Sequence, residues 1–171
     1  KYLTLKDPKA ARCFLPIDFE VKDWEGIQPY YDQLLAREID SLETLENFLK
    51  DRDELGAVIA EDRAWRYIRQ TRDTQDEALR EAFIFFVKEI MPHALTHEDK
   101  LNRKIGESPF FDQLPDEPYL TYKRQTKRDI EIFHKENVDL FTQARQVSQQ
   151  YQAKQGELRI EHNEQTLTLQ Q

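Results

Sequence analysis

The chain has 171 residues, 39% hydrophobic and 34% charged, with a formal net charge of −8, four glycines and one cysteine. This length suits one domain with at most a small appendage, and periodically placed Phe, Tyr, Leu and Ile set it apart from disordered chains. Interleaved acids and bases disfavour a nucleic-acid surface, which needs clustered cations, and lone Cys13 excludes an internal disulfide and fits a reducing, cytoplasmic setting.

Residues 1–23 read as an extended lead-in. Pro8 and Pro16 interrupt it, while Leu15, Ile17, Phe19 and Val21 alternate with polar neighbours, a weak strand signal or a segment packed along the body. No continuous apolar run marks a signal peptide there, and no stretch reaches the roughly 20 apolar residues of a membrane span.

A helix is expected over residues 24–38, capped by Asp23, with Ile27, Tyr30, Tyr31, Leu34 and Leu35 as its stripe and Pro29 near its first turn. Asp40 with Glu43 resembles a capping box for a second helix that buries Leu42, Leu45, Phe48 and Leu49. A third helix is expected to start near Asp53, with Leu55, Val58, Ile59, Trp65 and Ile68 on one side. Ala57, Ala60 and Ala64 would admit a close neighbour. A tight connection at 71–74 follows, with Thr74 and Glu77 as the next capping box. Leu79, Ala82, Phe83, Phe86, Val87 and Ile90 then form a stripe that Pro92 should kink or restart. Further helix runs through Leu101 and Ile105 to Gly106.

Residues 108–118 hold three prolines and read as a turn docking Phe110 and Phe111. From there to Gly156 the spacing of Ile130, Phe133, Leu140, Phe141, Ala144, Val147 and Tyr151 predicts one long helix, with Asn137 the place for any break. Leu158, Ile160, Leu167 and Leu169 alternate with polar residues and predict a C-terminal β-hairpin. The expected fold is therefore mainly α: an array of long antiparallel helices over residues 24–156, with a hairpin over 157–171.

No complete active site emerges. His93 and His97 have the i,i+4 spacing of an HExxH zinc helix, but Ala94 stands where the motif needs its Glu base, and neither Glu98 nor Asp99 is an obvious third ligand. His134 and His162 stand apart. Cys13 lacks a His or Asp in any nucleophile pattern and reads as a small buried hydrophobe. The acid pairs Asp53-Glu54 and Glu61-Asp62 fit caps and i,i+4 partners better than an acid/base dyad. Trp24 and Trp65 read as core. Arg63, Arg66, Arg69 and Arg72 form a row at i+3 spacing that would either face peptide carboxylates or, more simply, pair with neighbouring acids. Lys123-Arg124 and Lys127-Arg128 read as a solvated face, and Asp73-Thr74 as turn and cap. No catalytic, cofactor-binding or metal-binding residue is assigned.

The order of several weak pieces nevertheless carries a resemblance. Asp23-Trp24, LLAREIDSLETLENFL, LGAVIAEDRAWRYIRQTRDTQDEALREAFIFFVKEIMP, Lys100-Leu101, Tyr122, IEIFHKEN, Gln150-Tyr151 and TLTLQQ together resemble the N-terminal helical region of oligoendopeptidase F-type enzymes. These belong to the thimet-oligopeptidase family of zinc metallopeptidases. The resemblance covers residues 24–171. It implies a channel wall that admits short peptides, with zinc and its HExxH helix in a catalytic domain absent from this chain. It transfers no zinc ligand or catalytic residue to any position here. The competing expectation is a self-contained helical protein–protein interaction module with an aromatic-lined groove; an HExxH downstream of Gln171 would favour the peptidase.

Overall fold

The computed structural model describes residues 12–73, 76–162 and 165–168, without the side chains of Glu157, residues 160–162 and residues 165–168. Its architecture is mainly helical. The lead-in is described from Arg12, and residues 1–11 and Leu169 lie outside the described part.

Helix α1 spans Trp24–Ala36. Asp23 caps it by accepting a hydrogen bond from the Gly26 N–H, leaving Ile27, Tyr31 and Leu34 buried. Pro29 lies inside the helix, further in than the first turn. Helix α2 is one continuous element, Leu42–Arg72, rather than two helices divided at Asp53. No proline interrupts it. The Asp51-Arg52-Asp53 run that resembled punctuation is helical, and two of its side chains work sideways: Asp51 pairs with Arg37 and Arg52 reaches across to α4. Its cap is Ser41, one residue beyond the expected Asp40. Ser41 accepts from the Thr44 N–H while the Thr44 hydroxyl accepts from the Ser41 N–H, so Thr44 replaces Glu43 in the box.

Thr74 lies outside the described residues. Helix α3, Glu77–Phe85, is capped by Asp76, which accepts from Leu79 N–H. A π-helical turn, Phe86–Ile90, then leads into helix α4, Met91–Gly106. Pro92 has no N–H for the carbonyl one turn back. The helix widens just before it, with Met91 N–H donating to the Phe86 carbonyl, instead of breaking.

Residues 107–115 turn tightly and bury Phe111 and Leu114. Helix α5, Asp116–Ile132, follows. The single long helix expected next is divided at residues 133–135, ahead of Asn137, and helix α6 spans Glu136–Glu157. Neither proline nor glycine marks that break. Both α5 and α6 pack on α4, so the chain must change direction between them. At the far end Arg159–His162 (β1) and Gln165–Thr168 (β2) pair antiparallel, Ile160 opposite Leu167.

Helix α4 is the hub, touching α1, the π turn, α5 and α6. The core around it joins Ile27, Leu34, Leu45, Phe48, Leu55, Phe86, Ile90, Leu101, Ile105 and Phe111. Gly106 lets α5 approach: a Cβ there would sit 2.8 Å from Ile130 Cδ1. The lead-in packs on this body as a strap. Leu15 and Val21 are buried, and Phe14 and Phe19 meet Tyr30 edge-on.

Candidate functional site

The residues that gather are not those singled out by motif. They are charged and polar side chains set inside apolar stripes. On α2 the buried positions Leu45, Phe48, Leu55 and Ile59 leave Arg52 in the stripe, at spacings of three and four. On α4 Ala94, Leu101 and Ile105 do the same for Glu98. A buried charge must be paired or it destabilises the fold, so two such intruders on facing helices are natural partners.

The structure pairs them. Arg52 donates from Nε and Nη2 to Glu98 Oε2, at 3.1 and 2.8 Å. Its Nη2 also donates to Asn102 Oδ1 at 2.7 Å, and its Nη1 to the Tyr122 hydroxyl at 2.6 Å. The other Glu98 oxygen accepts from the Tyr31 hydroxyl at 2.9 Å. One cluster thus ties α1, α2, α4 and α5 together. It closes the end of a cleft of about 410 Å³ floored by Gly56, Ala57 and Ala60 of α2 and walled by Gln125 and Asp129 of α5.

The electrostatics hold both tyrosines protonated and the guanidinium charged at neutral pH. Burial, reinforced by the Glu98 charge, pushes the Tyr31 hydroxyl far up. Burial also raises Tyr122, against the opposing pull of Arg52. For Arg52, burial acts downward, but Glu98 and Tyr122 outweigh it and the guanidinium is held charged. Both tyrosines therefore stay protonated, Tyr31 donating to Glu98 and Tyr122 accepting from Arg52, and with both Glu98 oxygens engaged the cluster braces helices and shapes the cleft. Asp53 at the cleft edge is raised by burial, with Arg52 opposing and Glu98 assisting.

The histidine pair lies on the same helix beside the cluster, where the Tyr31 ring also meets His97 at 5.4 Å between centres. Trp24 stacks on His93 at 5.1 Å between ring centres and tilts against His97 at 4.8 Å, while His97 Nδ1 lies 2.8 Å from the His93 carbonyl. Neighbouring Glu98 serves Tyr31 and Arg52, and Asp99 serves Arg103 at 2.9 Å. These residues do not fit a zinc centre, and among the described residues no group of three or more His, Cys, Asp or Glu is placed to hold a metal ion.

The remaining candidates fall into structural roles. Arg66 pairs with Asp62 and donates to the Val21 and Ala82 carbonyls, tying strap, α2 and α3. Arg69 lies over the Trp65 ring, and Arg63 and Arg72 are exposed. Lys123 holds Asp116 and the Leu114 carbonyl, and Lys127 holds Asp112, so α5 fastens the preceding turn. Two expectations fail here. Trp65 is 49% exposed instead of core, because it lies off the Leu55–Ile59 face, and Cys13 is exposed instead of buried. Glu54 accepts from the backbone N–H groups of Cys13, Phe14 and Leu15 at 2.7–3.2 Å, a carboxylate in a nest that fastens the strap.

The described residues thus form a mainly helical frame braced internally by one polar cluster. The family described as Peptidase M3 N-terminal domain matches residues 14–133, strap and brace included. The chain belongs to that family and is an N-terminal region of an M3-family peptidase. No curated protein and no solved structure matches it. Among the described residues no helix is long and apolar enough to cross a membrane.

Proposed function

We propose that this chain forms part of the wall of a substrate channel in a zinc-dependent oligopeptidase of the cytoplasm. It shapes access for short peptides and contributes neither zinc ligand nor catalytic group. The family match over residues 14–133 carries this reading. The braced cluster adds to it, since a wall must hold its shape while peptides pass. Apolar side chains left exposed on α6, among them Leu140, Phe141, Val147 and Tyr151, fit a helix that meets further protein. The zinc, the HExxH helix and the downstream carboxylate ligand would belong to a catalytic domain outside these residues.

The test is direct. The purified 171-residue protein should leave an internally quenched oligopeptide intact with and without added zinc, and should retain no stoichiometric zinc on elemental analysis. A longer protein carrying a downstream HExxH should cleave the same peptide and stop when zinc is chelated. Zinc-dependent cleavage by the 171-residue chain itself would overturn the proposal.

A further inference from the structure

Helix α3 with its π turn on one side, and α6 on the other, enclose a groove of about 270 Å³. Arg80, Ile84 and Lys88 line the first wall, four residues apart, over about 12 Å of helix. Gln150, Ala153 and Lys154 line the second, with two further glutamines of α6 beside them. The floor is apolar, from Ile84, Ala153 and the alkyl stems of the long side chains.

The charge of this groove runs against that of the molecule. The chain carries a net −8, yet among the described residues the lining holds three cations and no acid. Arg80 has a partner, Glu77 at 2.9 Å. Lys88 and Lys154 have no hydrogen bond or ion pair among the described residues. Cationic side chains contributed from both walls of an apolar-floored groove favour an incoming carboxylate.

Length and hydrogen bonding narrow the occupant. A span of about 12 Å accommodates about four residues of extended peptide at about 3.3 Å each. Glutamine amides both donate and accept, as a peptide main chain requires. The apolar floor takes one side chain, and the ammonium groups take carboxylates on either side of it. We infer that this groove binds a short acidic stretch of another polypeptide, in which carboxylates flank an apolar side chain. The inference requires only the groove and stands apart from the peptidase reading.

Fluorescence anisotropy with the 171-residue protein tests it. The probes are a labelled peptide with glutamates on both sides of a central leucine and its glutamine counterpart. The acidic peptide should bind at least about tenfold more tightly, a difference of about 1.4 kcal/mol. The double variant Lys88→Glu with Lys154→Glu should lose that binding by about tenfold or more, with circular dichroism and Tm unchanged. A charge-matched control, Lys22→Glu with Lys50→Glu, lies outside the groove and should bind as the parent does. Equal binding of the two peptides, equal loss in the control, or no acidic-peptide binding below about 1 mM would each overturn the inference. So would a straight-chain fatty carboxylate binding in a Lys88- and Lys154-dependent way where the peptide does not.

Discussion

Arg52 occupies a position that the spacing of its helix reserves for an apolar side chain, and its guanidinium is tolerated because Glu98, Asn102 and Tyr122 all converge on it. Removing one partner of such a pair costs more than removing both, because a buried charge is left uncompensated. Glu98→Ala should therefore lower the unfolding free energy by about 3 kcal/mol, read from the urea midpoint. Arg52→Met combined with Glu98→Met should cost clearly less. Equal losses would mean that the pair, not its imbalance, holds the helices. Glu54 gives the pH-dependent counterpart. Partial burial acts to raise its carboxyl, but the backbone N–H groups of Cys13, Leu15 and Phe14 outweigh this and hold it below its ordinary value of 4.5. The folded value is the lower one. Its contribution is complete above the ordinary value and disappears as the pH falls through the folded value. The protection factor for amide exchange at Phe14 and Leu15, the slowing relative to the unstructured chain at the same pH, should thus be high near neutrality and fall in acid, and Glu54→Gln should lower it already at pH 7. An exchange rate in that variant matching the parent would rule out the latch. At this scale the sequence marks Glu98 only as a neighbour of the histidines and does not single out Arg52. The partner of each was not legible, because Tyr31 and Glu98 lie 67 residues apart and no local pattern links them.

Helix starts depend on a side chain within reach of an orphan N–H, which is why Asp23 acts where its sequence position suggested. Ser41 shows the limit of that reading. Asp40, Ser41, Glu43 and Thr44 offer two overlapping boxes, and a one-residue difference in where the chain turns helical decides between them. Ser41→Ala should cost about 1 kcal/mol and lower Tm by about 2–4 °C. Asp40→Ala, which removes only an acceptor for the Thr44 hydroxyl, should cost less. The reverse order would return the cap to Asp40. The continuity of α2 and the division of α5 from α6 have opposite lessons. Polar residues at 51–53 looked like a boundary and are not one, since their side chains are used laterally. Residues 133–135 carry no breaker, yet the chain leaves the helix there to set both flanking helices on α4.

At the scale of the molecule, apolar spacing and burial come apart on α6. Its Leu140, Phe141, Val147 and Tyr151 keep helical spacing, yet each is more than half exposed, and Val138 supplies its buried contact. Phe141→Glu with Val147→Glu should accordingly shift the unfolding free energy of this chain by less than about 1 kcal/mol. Phe48→Ala, in the core, should cost about 3–5 kcal/mol. A large loss from the α6 pair would show that this face is covered within the chain. The sequence by itself determined that the protein is mainly helical, where most helices start, that residues near 92 disturb a helix, and which family its order of pieces resembles. These are properties of local spacing, capping chemistry and residue order. Tertiary structure alone decided that Arg52 meets Glu98, that α2 runs through residue 53, that the chain breaks at 133–135, and that an apolar face of α6 stays open. Periodicity specifies that a helix has an apolar face; what covers that face depends on elements brought together from far along the chain.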